Sequence, residues 1–277
     1  MSLNENSIDN EQVQFEKIFR IHGIAAVFFL TLTISFLCGF QDSTVIPSTS
    51  FPISTNGPIG FPDLQLLENN SFNPCWFIVL FVFLAMLDHG AVTTLCYYQP
   101  NRVKKFLFEY KNNPLRWIEY SLSATLMFLS ICILCGISNV HLWVVLGSST
   151  CIGMLMGQVL EMMSANEFEK SNVISLLYWL SSCLIFIPWS VPLCYFGRGV
   201  HQLENSPTDE NIPAFVYVAL LGTLVCFMSF GVNSYLYHVL KKYEFYQAEY
   251  IYVILSFTAK FLLAVDVFGG LSAAKNS

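Results

Sequence analysis

Residues 256–264 read SFTAKFLLA, an ammonium group set in the middle of an apolar run that extends from about 249 to 272. What that lysine costs depends on its medium. The chain has 277 residues, of which 55% are hydrophobic and 12% charged, and its mean hydropathy is +0.55. This is far more apolar than a soluble domain requires, and a bilayer is the solvent that fits. Apolar segments of about 20 residues, long enough to cross a hydrocarbon core, recur seven times. They lie near 21–40, 75–98, 116–138, 141–163, 173–196, 213–239 and 249–272. Barrel strands do not explain them, since each would need only about 9–11 alternating residues and a closed barrel around it. The reading is an all-α membrane protein, one seven-transmembrane helix bundle over residues 1–277, multi-pass and expected in the plasma membrane. The opening MSLNENSIDNEQVQFE is polar and acidic, with no basic segment or small-residue cleavage site, so no cleaved signal peptide is expected.

Orientation follows from lysine and arginine counted loop by loop. With a cytoplasmic N-terminus, Lys17, Arg20, Arg102, Lys104, Lys105, Lys111, Arg116, Lys170, Lys241 and Lys242 fall inside, and only Arg198 and Lys275 outside. That asymmetry predicts an N-terminus in the cytoplasm and a C-terminus outside the cell. The formal net charge of -6 does not oppose it, because acidic residues contribute little to orientation. No nucleic-acid partner is implied. Residues 41–74 contain short β-branched runs punctuated by Pro and by Asn56-Gly57, which suggests a small extracellular β-hairpin. An irregular Pro-rich loop is the alternative. Asn69-Asn70-Ser71 is a glycosylation sequon of low specificity. Cys96, Cys132, Cys135, Cys151, Cys183 and Cys226 fall within spans, where cysteine behaves as a small hydrophobe. The Cys132–Cys135 pair lacks a second ligand pair for zinc. Cys38, Cys75 and Cys194 lie towards outer helix ends, where one disulfide can form.

Lys260 lies about ten residues, roughly 15 Å of helix, from either end of its span, too deep to reach water with its stem alone. A central charge costs about 2.5–3.5 kcal/mol even on the forgiving insertion scale. The amine is therefore either paired with a carboxylate or committed to Schiff-base chemistry with an aldehyde. Glu119, about 7.5 Å inside Pro114 on the third span, can meet it, because helix side chains lean towards the N-terminus. An acid near the interface, stabilised by the helix dipole, is the plainer reading of Glu119. Other polar groups gather in the same half of the bundle: His22, Asp88, His89, Glu161, and Ser256 one turn before Lys260. Asp266, near the outer end of the last span, is the obvious acid on the other side.

The block RWIEYSLSATLM at 116–127, LDH at 87–89 and the Ser256–Lys260 spacing, on seven helices with an inside N-terminus, resemble the heliorhodopsins, retinal proteins of inverted topology. The likeness extends over essentially the whole chain. It implies all-trans retinal bound to Lys260 as a protonated Schiff base, with Glu119 as counterion. It also implies a cytoplasmic-side polar cavity using His22, His89 and Ser256, with Asp88 and Glu161 as further proton-accepting candidates. Trp179 and Pro188 match retinal-pocket positions of that family, as do Ala124 and Met127. Its extracellular hairpin fits residues 41–74, and its members are homodimers. Commoner microbial rhodopsins carry an aspartate where this chain has Ser256, which leaves Glu119 as the sole counterion.

Polar residues crowded on one side favour a photosensor, acting on an unidentified cytoplasmic signalling partner, over a pump that needs relays on both sides. Asp266 keeps open a light-activated proton transporter or channel. An enzyme is not expected, since neither HExxH nor GxSxG occurs, and no metal site is expected. A receptor for a diffusible ligand would leave Lys260 unexplained.

Overall fold

The computed structural model describes residues 2–39, 46–47, 71–72, 75–137, 139–165, 171–204, 212 and 214–276. For 2–9, 39, 46–47, 71–72, 75, 203 and 270–276 it describes the backbone alone. In chain order these form α1 (Ser2–Gly39), α2 (Cys75–Tyr98), a short α3 (Pro100–Lys104), α4 (Pro114–Leu134), α5 (Val140–Ala165), α6 (Ser171–Phe186), α7 (Ser190–Glu204), α8 (Ala214–Ser234) and α9 (Phe245–Asn276). Among the described residues, seven stretches are long and apolar enough to cross a membrane: Asn10–Cys38, Trp76–Tyr98, Pro114–Leu134, Val140–Ala165, Ser171–Gln202, Ala214–Val239 and Phe245–Gly269. They match the seven expected spans. The fifth is α6 and α7 joined by a 3-10 turn at Ile187–Trp189, where Pro188 supplies no N–H to the helical ladder. The first differs most from expectation. The polar opening, too hydrophilic to count as span, continues the same helix outward, because it holds neither proline nor glycine to stop it.

Outside the helices, β1 (Ile46–Pro47) pairs antiparallel with β2 (Ser71–Phe72), Ile46 opposite Phe72 and Pro47 opposite Ser71. The Asn56-Gly57 turn and Asn69-Asn70 of the sequon lie outside the described residues. Cys38 and Cys194 are unbridged, and the side chain of Cys75 lies outside the described set.

Neighbouring helices pack in the pairs α1–α2, α2–α4, α4–α5, α5–α6 and α8–α9. Phe29, Phe81, Phe128, Ile131, Leu220 and Leu263 form the buried centre, while Leu80, Leu87, Val144, Val145, Leu221 and Val225 face outward. Both faces of each span are apolar, as a lipid surround requires, so polar side chains and not hydrophobicity distinguish the inside. The helix α4 is central, with 67% of its membrane window buried.

At the basic end of the bundle, the one that carries most of the lysines and arginines, two connections share one device. The π turns Lys105–Glu109 and Tyr235–Val239 are each followed by a lysine in the left-handed region, Lys111 (φ 48°) and Lys241 (φ 47°). That reversal lets the Asn112 N–H donate to the Phe106 carbonyl (3.2 Å) and the Lys242 N–H to the Leu236 carbonyl (3.0 Å), capping groups that a helix end leaves unpaired. The next helix then starts at once. Asn113 caps α4, accepting from the Arg116 N–H at 3.4 Å, with Pro114 in its first turn.

Glycine matters where α4 meets α5. A Cβ on Gly157 would overlap the Trp117 ring, whereas one on Gly222 would meet nothing within 4 Å. Gly157→Ala is expected to lower the thermal unfolding midpoint, with an overpacking cost of about 1–3 kcal/mol. Gly222→Ala is expected to leave it unchanged or raise it, through helix propensity.

Candidate functional site

The helices α4 and α9 are joined across the interior by side chains at three levels. Deepest is Lys260, 2% exposed, whose Nζ donates to Glu119 Oε1 at 2.7 Å and to Ser256 Oγ at 2.8 Å. One turn nearer the basic end, the Tyr120 hydroxyl donates to the Tyr252 carbonyl at 3.0 Å, and Lys260 Nζ stands 5.3 Å from the Tyr120 ring centroid. Below that, buried Arg116 is ion-paired with both Glu161 on α5 and Glu249 on α9. Helical spacing explains the alignment. Arg116, Tyr120 and Ser123 follow at four- and three-residue steps on α4, with Glu119 next to Tyr120, and Glu249, Tyr252, Ser256 and Lys260 follow at three- and four-residue steps on α9.

The Arg116 level is closed by further hydrogen bonds. Glu161 accepts from the Trp117 indole N–H at 3.0 Å and the Asn113 backbone N–H at 2.7 Å, and Glu249 accepts from Asn113 Nδ2 at 2.5 Å. The guanidinium also faces the Tyr252 ring, 4.4 Å from its centroid. Two carboxyl groups thus share one guanidinium. Glu161, expected with the histidines, is instead held here, because its place on α5 faces Trp117 and the start of α4.

The histidines gather on α1 and α2. His22 Nδ1 lies 2.9 Å from His89 Nδ1, and Asp88 Oδ2 is 3.7 Å from His89 Nδ1. Their ligand atoms lie within 4.8 Å of one another, close enough to share a metal ion, but the contact present is a direct hydrogen bond between the rings. Asp266 lies on α9, beyond Lys260 towards the opposite end, with a buried Oδ2 that has no hydrogen-bond partner.

Away from Glu119, Lys260 opens on an apolar slot. A cavity of about 30 Å³ beside it and another of about 40 Å³ reaching Tyr178 on α6 share Tyr120, Met154, Phe227 and Phe230 as walls. Ala124 and Met127 line the first cavity. Trp179 does not join them. It is 56% exposed and packs against Tyr178 and Tyr235, because the phase of α6 turns Tyr178 and Ser181 inward in its place. Buried Pro188 lines neither cavity. The tryptophan packed on this region is Trp189, whose ring centroid is 5.1 Å from Phe128 and 5.3 Å from Phe227.

An aldehyde-bearing polyene fits this donor set. The amine is buried beside one carboxylate, and the slot leading from it is walled by aromatic rings and by methionines, which repack readily. At about 30 and 40 Å³ the two adjoining cavities are smaller than such a chain, so the side chains they share as walls would have to rotate to admit it. Sequence reasoning missed Glu249 and took Arg116 for an interfacial cation. A signal was present, since Glu249 precedes Lys260 by eleven residues, three helical turns on one face.

Among solved structures, a light-driven proton pump from Leptosphaeria maculans matches with a TM-score of 0.56, 12% identity and 97% of each chain covered. That likeness establishes the fold as the seven-helix bundle of the microbial rhodopsins. The family model for heliorhodopsin matches residues 18–271. The chain belongs to the heliorhodopsin family and is a multi-pass integral membrane protein. Family and fold together imply a retinal chromophore and support a retinal-binding photoreceptor. No curated protein matches the chain.

The buried cluster makes a stability test. Arg116→Met leaves two carboxylates uncompensated and is expected to cost about 3–5 kcal/mol, read as a large fall in thermal midpoint. Glu249→Gln, which leaves Arg116 paired with Glu161, is expected to cost distinctly less.

Proposed function

We propose that this chain is a photosensor in which all-trans retinal is joined to Lys260 as a protonated Schiff base with Glu119 as counterion. The observation that carries the reading is the 2.7 Å contact between Lys260 Nζ and Glu119 Oε1, at the head of an apolar slot. Retinal supplies visible absorption and a double bond that light isomerises. The chain's own residues do the rest. Glu119 holds the positive charge at the nitrogen in a dry site, where a full counter-charge is worth far more than in water. Ser256 accepts a second hydrogen bond from the same nitrogen and fixes its orientation. Tyr120, Met154, Phe227 and Phe230 grip the apolar body and exclude water. His22, Asp88 and His89 receive a proton when the nitrogen releases one. Arg116, paired twice, keeps the α4 and α9 ends together while the slot changes shape, so the strain is passed to the bundle as a shift between two states.

The concentration of lysine and arginine at the basic end supports a cytoplasmic location for it, which puts the N-terminus inside, the C-terminus outside and the β1–β2 pairing in an extracellular hairpin. The unit is a single retinal-binding domain, non-enzymatic, paired with a second copy in the bilayer and read by a cytoplasmic signalling partner.

A second reading, light-activated proton transport or conduction, rests on the buried, unpartnered Oδ2 of Asp266 as a proton group on the far side of Lys260. Photocurrents across membranes holding well-expressed protein decide between the two. The sensor gives no sustained current, and a transporter using Asp266 gives one that Asp266→Asn removes.

Purified with all-trans retinal, the wild type is expected to show a red-shifted visible band that hydroxylamine bleaches and Lys260→Ala abolishes. Glu119→Gln is expected to move that band or release the nitrogen's proton near neutral pH. Folded wild-type protein that stays colourless would sink the assignment.

A further inference from the structure

Through the middle of the bundle α1 and α9 are held together by phenylalanine rings. Phe28 lies 4.7 Å from Phe257 and 5.5 Å from Phe261 between ring centroids, and Phe36 lies 5.0 Å from Phe268. Towards the basic end this row of rings stops and the two helices part. The gap is a groove of about 430 Å³, whose walls include Lys17 and Ile18 from α1 and Gln247, Tyr250 and Ile251 from α9.

The depth of the groove follows from its distance to Lys260. Tyr250 precedes that lysine by ten residues, about 15 Å along the helix, which is half the thickness of a hydrocarbon core of about 30 Å. The groove therefore lies where acyl chains give way to headgroups. Its floor is apolar, with Ile18 buried and Ile251 half-buried, and its rim of Lys17, Gln247 and Tyr250 is exposed. Each rim group offers a hydrogen. Among the described residues neither the Lys17 ammonium nor the Tyr250 hydroxyl has a hydrogen-bond or ion-pair partner. The Gln247 side-chain oxygen accepts from the Glu244 backbone N–H at 3.0 Å, which leaves its NH2 to donate outward. No Asp or Glu is among the described lining residues, and Glu16, next to Lys17 in sequence, is turned to Arg20 at 3.7 Å.

We propose that this groove holds the headgroup of an anionic glycerophospholipid, its phosphate taken by Lys17, Tyr250 and Gln247 and the roots of its acyl chains laid on Ile18 and Ile251. Donors around one uncompensated positive charge suit a phosphate, and the apolar floor at this depth suits a phosphate that carries acyl chains. A zwitterionic lipid fits less well, because its cationic end finds no acid in the groove. Bound there, one lipid bridges the first helix to the helix that carries Lys260, at the level where the protein's own rings do not. A cytoplasmic leaflet is rich in anionic lipid, and it is the leaflet at hand under the orientation proposed above. Binding itself requires neither that orientation nor retinal.

The test uses the full-length protein without retinal, in nanodiscs of phosphatidylcholine with rising fractions of phosphatidylglycerol. The thermal unfolding midpoint is expected to climb with phosphatidylglycerol and then to level off, as filling of a discrete site requires. Lys17→Gln is expected to raise the half-saturating fraction about fivefold, and Tyr250→Phe to raise it less. Lys242→Gln removes an exposed lysine of the same end that lies outside the groove, and is expected to leave the half-saturating fraction nearly unchanged. A midpoint indifferent to phosphatidylglycerol, or a half-saturating fraction indifferent to Lys17→Gln, would overturn the proposal. An equal effect of Lys242→Gln would also refute it, by showing a diffuse attraction of the whole basic end. In neutral detergent, inorganic phosphate is expected to leave the midpoint unmoved. A rise as large as the lipid gives would assign the groove to a free anion instead.

Discussion

A lysine ammonium in the middle of a membrane has to be answered by a carboxylate at the same depth, and the geometry of the whole bundle follows from how that is done here. Glu119 answers from α4, which must then be the central helix, and Lys260 leans from α9 to meet it. The two helices are bridged by long side chains, and the room between them is the slot. The constraint that pairs the charges also keeps the interior open.

The second ionic level guards the first. Arg116 stands one turn from Glu119 on the same face, and without Glu161 and Glu249 it would compete with Lys260 for that carboxylate. Two acids plus Trp117 and Asn113 hold the guanidinium away from the Lys260 level. Buried ion pairs seldom add net stability, so the return here is specificity of placement, with each cation assigned to its own acid. Gly157 contributes by letting Trp117 approach α5 closely enough for its indole to reach Glu161.

Much of this was legible in the sequence because a membrane makes polar residues conspicuous. Seven apolar runs gave the spans, and Lys260, Glu119 and Ser256 stood out against an apolar background at compatible depths. What was not legible depended on helix phase and on the ends of spans. Trp179 was placed in the slot by resemblance, but the phase of α6 buries Tyr178 and Ser181 and leaves Trp179 outside, while Trp189 packs inward after the break at Pro188. Glu161 and Arg116 sit where water and interior are one turn apart, so depth alone could not say whether they faced solvent or each other. The shared left-handed lysines at 111 and 241 could not be anticipated either, since the sequence there carries no glycine to mark a reversal.

The first helix has a length its membrane role does not require. At 38 residues it extends about 57 Å, against a hydrocarbon core of about 30 Å. His22 sits roughly halfway along it, about 30 Å from its start. The helix is thus a lever with its fulcrum beside the histidine pair. A tilt of about 5° there, no more than a small repacking of two rings, displaces the far tip by roughly 2.6 Å over that arm. Motion too slight to disturb the buried ion pairs becomes, at the surface, a displacement another molecule can feel.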